Sequence, residues 1–224
     1  MNGAVSGKPR HSYSQCGEDL IIDFIFRDKA IALPSFLDLG AYDPFELSNT
    51  ALFSGRGATG VNVEANPVLF ENLRRGRPND LNLNLGIGPC DAEPGLEFYV
   101  MAPSVMSTFS ADEAARLERE TSVRVVQKLQ VPTITMATLL EGYLSGKFPD
   151  FLTCDIECLD HVVVAQLALI PVSALPDVIC IETLTYSEKG DARKKLELIE
   201  AVVAIGYSVH ADTFINTIFR KNGF

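Results

Sequence analysis

Five short apolar runs, each ending in acidic or glycine residues and each followed by polar or helical patterning, constrain this 224-residue chain more than any other feature. They are Ser35–Gly40 (SFLDLG), Thr59–Glu64 (TGVNVE), Leu81–Gly88 (LNLNLGIG), Asp150–Glu157 (DFLTCDIE) and Pro176–Glu182 (PDVICIE). Runs of this length, bounded by turn signals and alternating with helical patterns, predict an α/β fold: a mostly parallel sheet with helices on both faces. Leu20, Ile21, Phe24 and Ile25 recur at helical spacing within GEDLIIDFIF and predict an amphipathic helix. Asn66 and Pro67 supply an N-cap and a favoured first helical residue, and Ser110 with Glu113 reads as a capping box. A further helix is expected from about Asp191 through Leu196, Ile199 and Val203 to a stop at Gly206. LEFYVM (Leu96–Met101) reads as an edge strand, and YSVHA and NTIFRK as two strands joined by a short turn.

With no internal repeat or linker-like break, residues 13–224 are expected to form one domain behind a disordered tail over 1–12. The irregular interval 103–145 is expected to form a lid or insertion over the site. A formal charge of −10 argues against an electrostatic grip on nucleic acid or an anionic membrane. Met1 to Arg10 lack a signal-peptide apolar segment, and no apolar run approaches the ~18 residues of a membrane span. Five cysteines without a metal-binding spacing fit a reduced, cytoplasmic protein. A homo-oligomer is compatible with all of this.

Ligands of open parallel sheets bind outside the carboxyl ends of the strands. Here those ends carry Asp38, Gly40, Ala41, Tyr42 and Asp43 after the first run, and Glu64 after the second. Gly86 lies near the end of the third, Asp155 and Glu157 end the fourth, and Glu182 the fifth. Buried carboxylates need partners, and a ligand bearing hydroxyls, amines and positive charge would supply them. Glu64, 24 residues beyond Gly40, is placed to accept from ribose hydroxyls. The same logic serves NAD, whose acidic residue lies ~20 residues past its glycine turn. Gly40 with Glu64 therefore means an adenosine cofactor and no more. The missing second and third glycines, and the charge of Asp38 and Asp43 where a pyrophosphate would rest, favour a cofactor ending in a sulfonium and an amino acid.

These segments resemble the FkbM family of S-adenosylmethionine-dependent methyltransferases from about Ser14 to Arg220. The resemblance is carried by SQCGED (14–19), FLDLGAYDPFELSNT (36–50), GVNVEANPVLFENLRR (60–75), NLNLGIG (82–88), STFS (107–110), VPTITMATLL (131–140), DFLTCDIECLD (150–160) and NTIF (216–219). It implies a class I methyltransferase (Rossmann-like) seven-stranded sheet with an antiparallel C-terminal strand. It further implies S-adenosyl-L-methionine as donor, and O-methylation of a sugar, glycolipid or polyketide-type natural product. Carried over by position, Asp38, Gly40 and Ala41 would line the methionine end of the donor, and Glu64 would hold the ribose. Ala65 and Asn66 would lie near the adenine, Gly86 and Ile87 would border it, and Ser14 and Gln15 would close the cleft. The family usually reads Asp-hydrophobic-Glu-Gly where this chain has Asp155-Ile-Glu157-Cys158, and Ala137 replaces a commonly acidic residue.

Methyl transfer to a small-molecule or carbohydrate hydroxyl needs collinear reactants and a base or metal to activate the hydroxyl. Asp155 and Glu157 are the first candidates for the catalytic base, with Asp155 acting directly or through water. A divalent ion such as Mg²⁺ held by Asp155, Glu182 and Asn216 is the alternative. His161 invites a general-base role, although a His at the start of a helix more often lies on the surface. Tyr42 reads as a wall of the cleft that could also donate to the donor's carboxylate. Ser107–Phe109 either meets substrate or introduces the next helix. Outside this reading stand an NAD-dependent oxidoreductase and a catalytically inactive methyltransferase-like binding protein.

Overall fold

The computed structural model describes residues 10–224. Seven strands form the main sheet: β1 (Phe36–Leu39), β2 (Gly60–Val63), β3 (Leu81–Leu83), β7 (Phe151–Cys154), β8 (Val178–Glu182), β9 (Tyr207–Asp212) and β10 (Asn216–Lys221). A smaller sheet holds β4 (Gly86–Ile87), β5 (Ala92–Ala102) and β6 (Arg124–Ile134). The main sheet has the order β3-β2-β1-β7-β8-β10-β9. Its first five strands pair in parallel, whereas β10 runs antiparallel to both β8 and β9.

Period-two alternation along the buried strands sorts the two faces. Leu37, Leu39, Leu152, Cys154, Ile179 and Ile181 form one core with Met136 and Leu139 of α5 (Met136–Tyr143), Val163 and Leu167 of α6 (Asp160–Leu167), and Val202 of α7 (Leu196–Ala204). Phe36, Phe151, Val178, Cys180 and Ile218 face the other way. They meet Ile22, Ile25 and Phe26 of α1 (Glu18–Asp28) and Phe53 of α2 (Ala51–Ser54). Of the tail expected over 1–12, residues 1–9 lie outside the described residues. Ser12 and Tyr13 are already tied to α1, donating to the Asp19 carboxylate at 2.6 and 2.8 Å.

Four expectations need correction. The run Leu81–Gly88 is not one strand: it splits into β3, on the main sheet, and β4, which pairs with β6. The break falls at Asn84, whose amide donates to the Glu64 and Ala65 carbonyls. The helix expected from Asp191 starts at Leu196, because Leu184 and Lys194 first form an isolated bridge. Ser110 does cap α4 (Ala111–Glu120) by accepting from the Glu113 N–H, but the Glu113 carboxylate turns to Arg116 instead of completing the box. α3 (Pro67–Gly76) carries the anticipated Asn66 cap. The interval 103–145 is regular throughout most of its length, holding α4, β6 and α5, and the small sheet it builds begins earlier, at Ala92.

Candidate active site

A cleft of about 500 Å³ opens at the carboxyl ends of β1, β2, β7 and β8, roofed by residues 104–109 and 184–187. Five carboxylates from four strand ends reach it: Asp38 on β1, Glu64 after β2, Asp155 and Glu157 after β7, and Glu182 at the end of β8. The main chain at β1 is pinned first, with Gly40 and Ala41 donating to the Val63 carbonyl and Asp155 donating to that of Leu39. A Cβ on Gly40 would lie 1.9 Å from the Asp155 carbonyl oxygen. The glycine expected to admit a ligand is thus required for packing β1 against the loop after β7. Gly40 and Ala41 nonetheless line the cleft, as expected.

Glu64 is 6 % exposed, and its two oxygens accept from the N–H groups of Tyr42 (2.9 Å) and Asn66 (2.7 Å). Burial pushes its carboxyl up to about 7, against the pull of those two hydrogen bonds. Each oxygen keeps a further lone pair, so the pair can still accept from a vicinal diol. Asp38 accepts from the Thr50 hydroxyl at 2.7 Å, and burial lifts it to about 6. Asp155 has a buried oxygen, Oδ1, with no hydrogen-bond partner among the described residues. Burial, then the charges of Glu182 and Asp160, push it well above the usual carboxylate range, and Lys195 opposes them. Glu157 is raised likewise by burial, then by Asp155 and Glu182.

An apolar end complements this acidic rim. The Phe109 ring lies where a Cβ on Gly86 would fall, 2.4 Å from its carbons, and packs on Phe98 with centroids 4.7 Å apart. Leu69, Leu85, Ile87 and Ala65 complete a surface suited to a flat base. The Thr108 hydroxyl donates to the Glu157 carbonyl at 2.7 Å, fastening this wall to the loop after β7. Glu157 and Cys158 both have left-handed backbones, φ 49° and 77°, so the family's usual glycine suits the conformation at 158 better than this chain's cysteine.

Several candidates take other roles. Ser14 is absent from the cleft and exchanges hydrogen bonds with Asp19, whereas Gln15 does line it. Asn66 is not in the lining either: its side chain caps α3 and its N–H steadies Glu64. His161 is exposed on α6 and lines a separate groove between α6 and α7; it is set aside as a base. The proposed metal ligands do not fit a cation. Glu182 is ion-paired to Lys195 at 2.7 Å, Asn216 donates its amide to Glu18, and no group of three or more His, Cys, Asp or Glu among the described residues could hold a metal. Glu18, despite burial, lies below the ordinary range because Thr213 and Asn216 donate to it, so it latches α1 to β10. Lys195 and Thr50 gave no readable signal, since both act through partners distant in sequence.

This sheet order, with its antiparallel close and a cleft at the carboxyl ends of its parallel strands, defines a class I methyltransferase architecture. Residues 38–223 match the methyltransferase FkbM domain, and the chain belongs to that family. Its overall shape is distantly similar to several solved structures. One is a TehB-like SAM-dependent methyltransferase of Corynebacterium glutamicum, at 12 % identity and TM-score 0.46, covering 92 % of this chain and 88 % of that one. Another is the 1,6-didemethyltoxoflavin-N1-methyltransferase of Burkholderia thailandensis, at 12 % and 0.45, covering 92 % and 79 %. A third is the magnesium protoporphyrin IX methyltransferase of Synechocystis, at 12 % and 0.40, covering 95 % and 85 %. No curated protein matches the chain. Among the described residues no helix is long and apolar enough to cross a membrane. The oxidoreductase alternative falls with the family assignment.

Proposed function

We propose that the protein is an S-adenosylmethionine-dependent O-methyltransferase acting on the hydroxyl of a small molecule, a sugar, glycolipid or polyketide-type product. The observation that carries this reading is the buried, unpartnered Oδ1 of Asp155 beside Asp38 and Glu64 in one cleft. A carboxylate oxygen is costly to bury without a donor, and an ammonium group would supply one. Asp38 and Asp155 would hold the donor's amino acid, Glu64 its ribose, and the Gly86–Phe109 surface its adenine. The donor, when bound, supplies an electrophilic methyl group.

The chain's own residues then orient the acceptor and take its proton. Asp155 is the first candidate base, and Glu157, two residues on and also lining the cleft, is the second. A carboxyl held above its usual range is a stronger base, which suits removal of a hydroxyl proton as the oxygen attacks. Val105, Met106 and Phe109 line the cleft and would help shield the reacting groups from bulk water. The fold is read as one methyltransferase domain whose small sheet walls the site. Five free thiols, Cys16 and Cys90 exposed among them, suit a reducing compartment such as the cytoplasm.

Calorimetry with S-adenosylhomocysteine, coupled to a labelled-donor screen of hydroxyl acceptors with and without chelator, tests the reading. Glu64→Ala should weaken cofactor binding by about 10- to 100-fold, the value of hydrogen bonds to a charged group. Asp155→Asn should lose turnover and also weaken cofactor binding, since its charge meets the donor's ammonium group. Undiminished binding by the first variant and undiminished turnover by the second would overturn the assigned roles. Turnover in any acceptor class would also dismiss an inactive, binding-only protein.

A further inference from the structure

Beneath the cleft lies a buried polar chain that ends at Asp38 and whose other members the proposed reaction does not use. Arg77, at the end of α3, is 3 % exposed, and its guanidinium reaches three partners. Nε donates to the Asp80 carboxylate at 2.7 Å, Nη1 to the Pro44 carbonyl at 3.1 Å, and Nη2 to the Thr50 hydroxyl at 3.3 Å. Its guanidinium carbon also lies over the Phe36 ring, 5.2 Å from the centroid. Asp80 is fixed in turn by the Gly60 N–H and the Asn62 amide. Thr50 is fully buried and donates to Asp38 Oδ2 at 2.7 Å.

The direction of this chain is forced by chemistry. Arginine only donates, so its contact with Thr50 occupies a lone pair of the hydroxyl oxygen. An ionised carboxylate only accepts, so the single hydroxyl proton goes to Asp38. Ser48, 3.3 Å from the same oxygen, can fill its other lone pair. Asp38 Oδ1 receives no donor from the described residues, and Asp38 lines the cleft. One oxygen is therefore held from below while the other is left for a ligand.

We propose that Thr50 and Arg77 are positioning residues for the methyl donor, acting through Asp38: the Arg77 guanidinium orients the Thr50 hydroxyl, and that hydroxyl fixes the Asp38 carboxylate toward the donor's ammonium group. The proposal rests on the S-adenosylmethionine reading above. Charged or titratable groups facing Asp38 are Arg77 and Asp80 from the α3–β3 turn, Glu64 after β2, Asp155 after β7 and Cys180 on β8. Of these only Arg77 is cationic, and it reaches Asp38 through Thr50.

Thr50→Val replaces the hydroxyl with a methyl of nearly equal size and tests the chain directly. S-adenosylhomocysteine binding is measured by calorimetry at pH 6, 7 and 8 beside thermal melting. The variant should bind about tenfold more weakly at pH 8. Its deficit should widen toward pH 6, since Asp38 without its donor takes up a proton more readily. Thr50→Ser should restore binding to within about twofold, because it restores the hydroxyl. In an Asp38→Asn background the valine substitution should cost no further affinity, the signature of action through one residue. Should the valine variant not fold, Arg77→Lys, which keeps the charge and loses the planar fork, must weaken binding with the same pH trend. A lowered melting temperature with unchanged affinity and pH profile would show a purely structural role and overturn the proposal. Failure of the wild-type protein to bind S-adenosylhomocysteine would instead overturn the donor reading, and this inference with it.

Discussion

Burial lifts the Glu64 carboxyl to about 7 and the Asp38 carboxyl to about 6, so near pH 6.5 the cleft holds protons that a cationic donor must displace. At that pH Glu64 carries about three quarters of a proton and Asp38 about one quarter, from the ordinary titration relation. Binding of S-adenosylhomocysteine, which bears the same ammonium group and ribose, should therefore release about one proton from these two groups, and more where Asp155 also ionises. At pH 8 the Glu64 share should fall to about one tenth. The assay is calorimetry in buffers of different ionisation enthalpy, whose slope reads the proton count. Glu64→Gln isolates the main contributor, since it cannot titrate, and should lower the release at pH 6.5 by about three quarters of a proton. Equal release by the wild type and this variant, or net proton uptake, would refute the idea that Glu64 is ionised to receive the ribose.

The same shifts set the stability of the ligand-free protein. Both carboxyls titrate higher folded than unfolded, so the unfolded chain loses its protons first as pH rises, and stability must fall between about pH 4 and pH 7. Each contributes at most about 3 kcal/mol, and the raised Asp155, Glu157 and Glu182 act in the same direction. Melting scans from pH 5 to pH 8 should show a drop of at least about 6 °C, much reduced by saturating S-adenosylhomocysteine; a flat or rising profile would contradict the burial argument. Cys158→Gly should raise the melting temperature by about 2–4 °C. Relief of a left-handed cysteine, about 1–2 kcal/mol, exceeds the added unfolded-state entropy of about 0.5–1 kcal/mol. A lower melting temperature would mean that the cysteine side chain's packing outweighs its backbone cost.

Much of the architecture is local and could be read from the chain alone. Leu37 and Leu39 face one core while Phe36 faces the other because successive side chains of a strand point to opposite sides. The Asn66 and Ser110 caps, the C-terminal pair of strands and the acidic strand ends were legible for the same reason, each being fixed by neighbours a few residues away. The ordered motifs then pointed to the methyltransferase family. Tertiary structure decided what depends on partners far apart in sequence. It broke Leu81–Gly88 between two sheets and gave Gly40 a packing duty against Asp155. It turned Asn216 to Glu18, 198 residues away, and Glu182 to Lys195 instead of a metal. It carried His161 out of the cleft and ran Arg77 through Thr50 to Asp38. Periodicity states which face of an element is buried, but a carboxylate's protonation and task are set by the groups that strand register brings beside it.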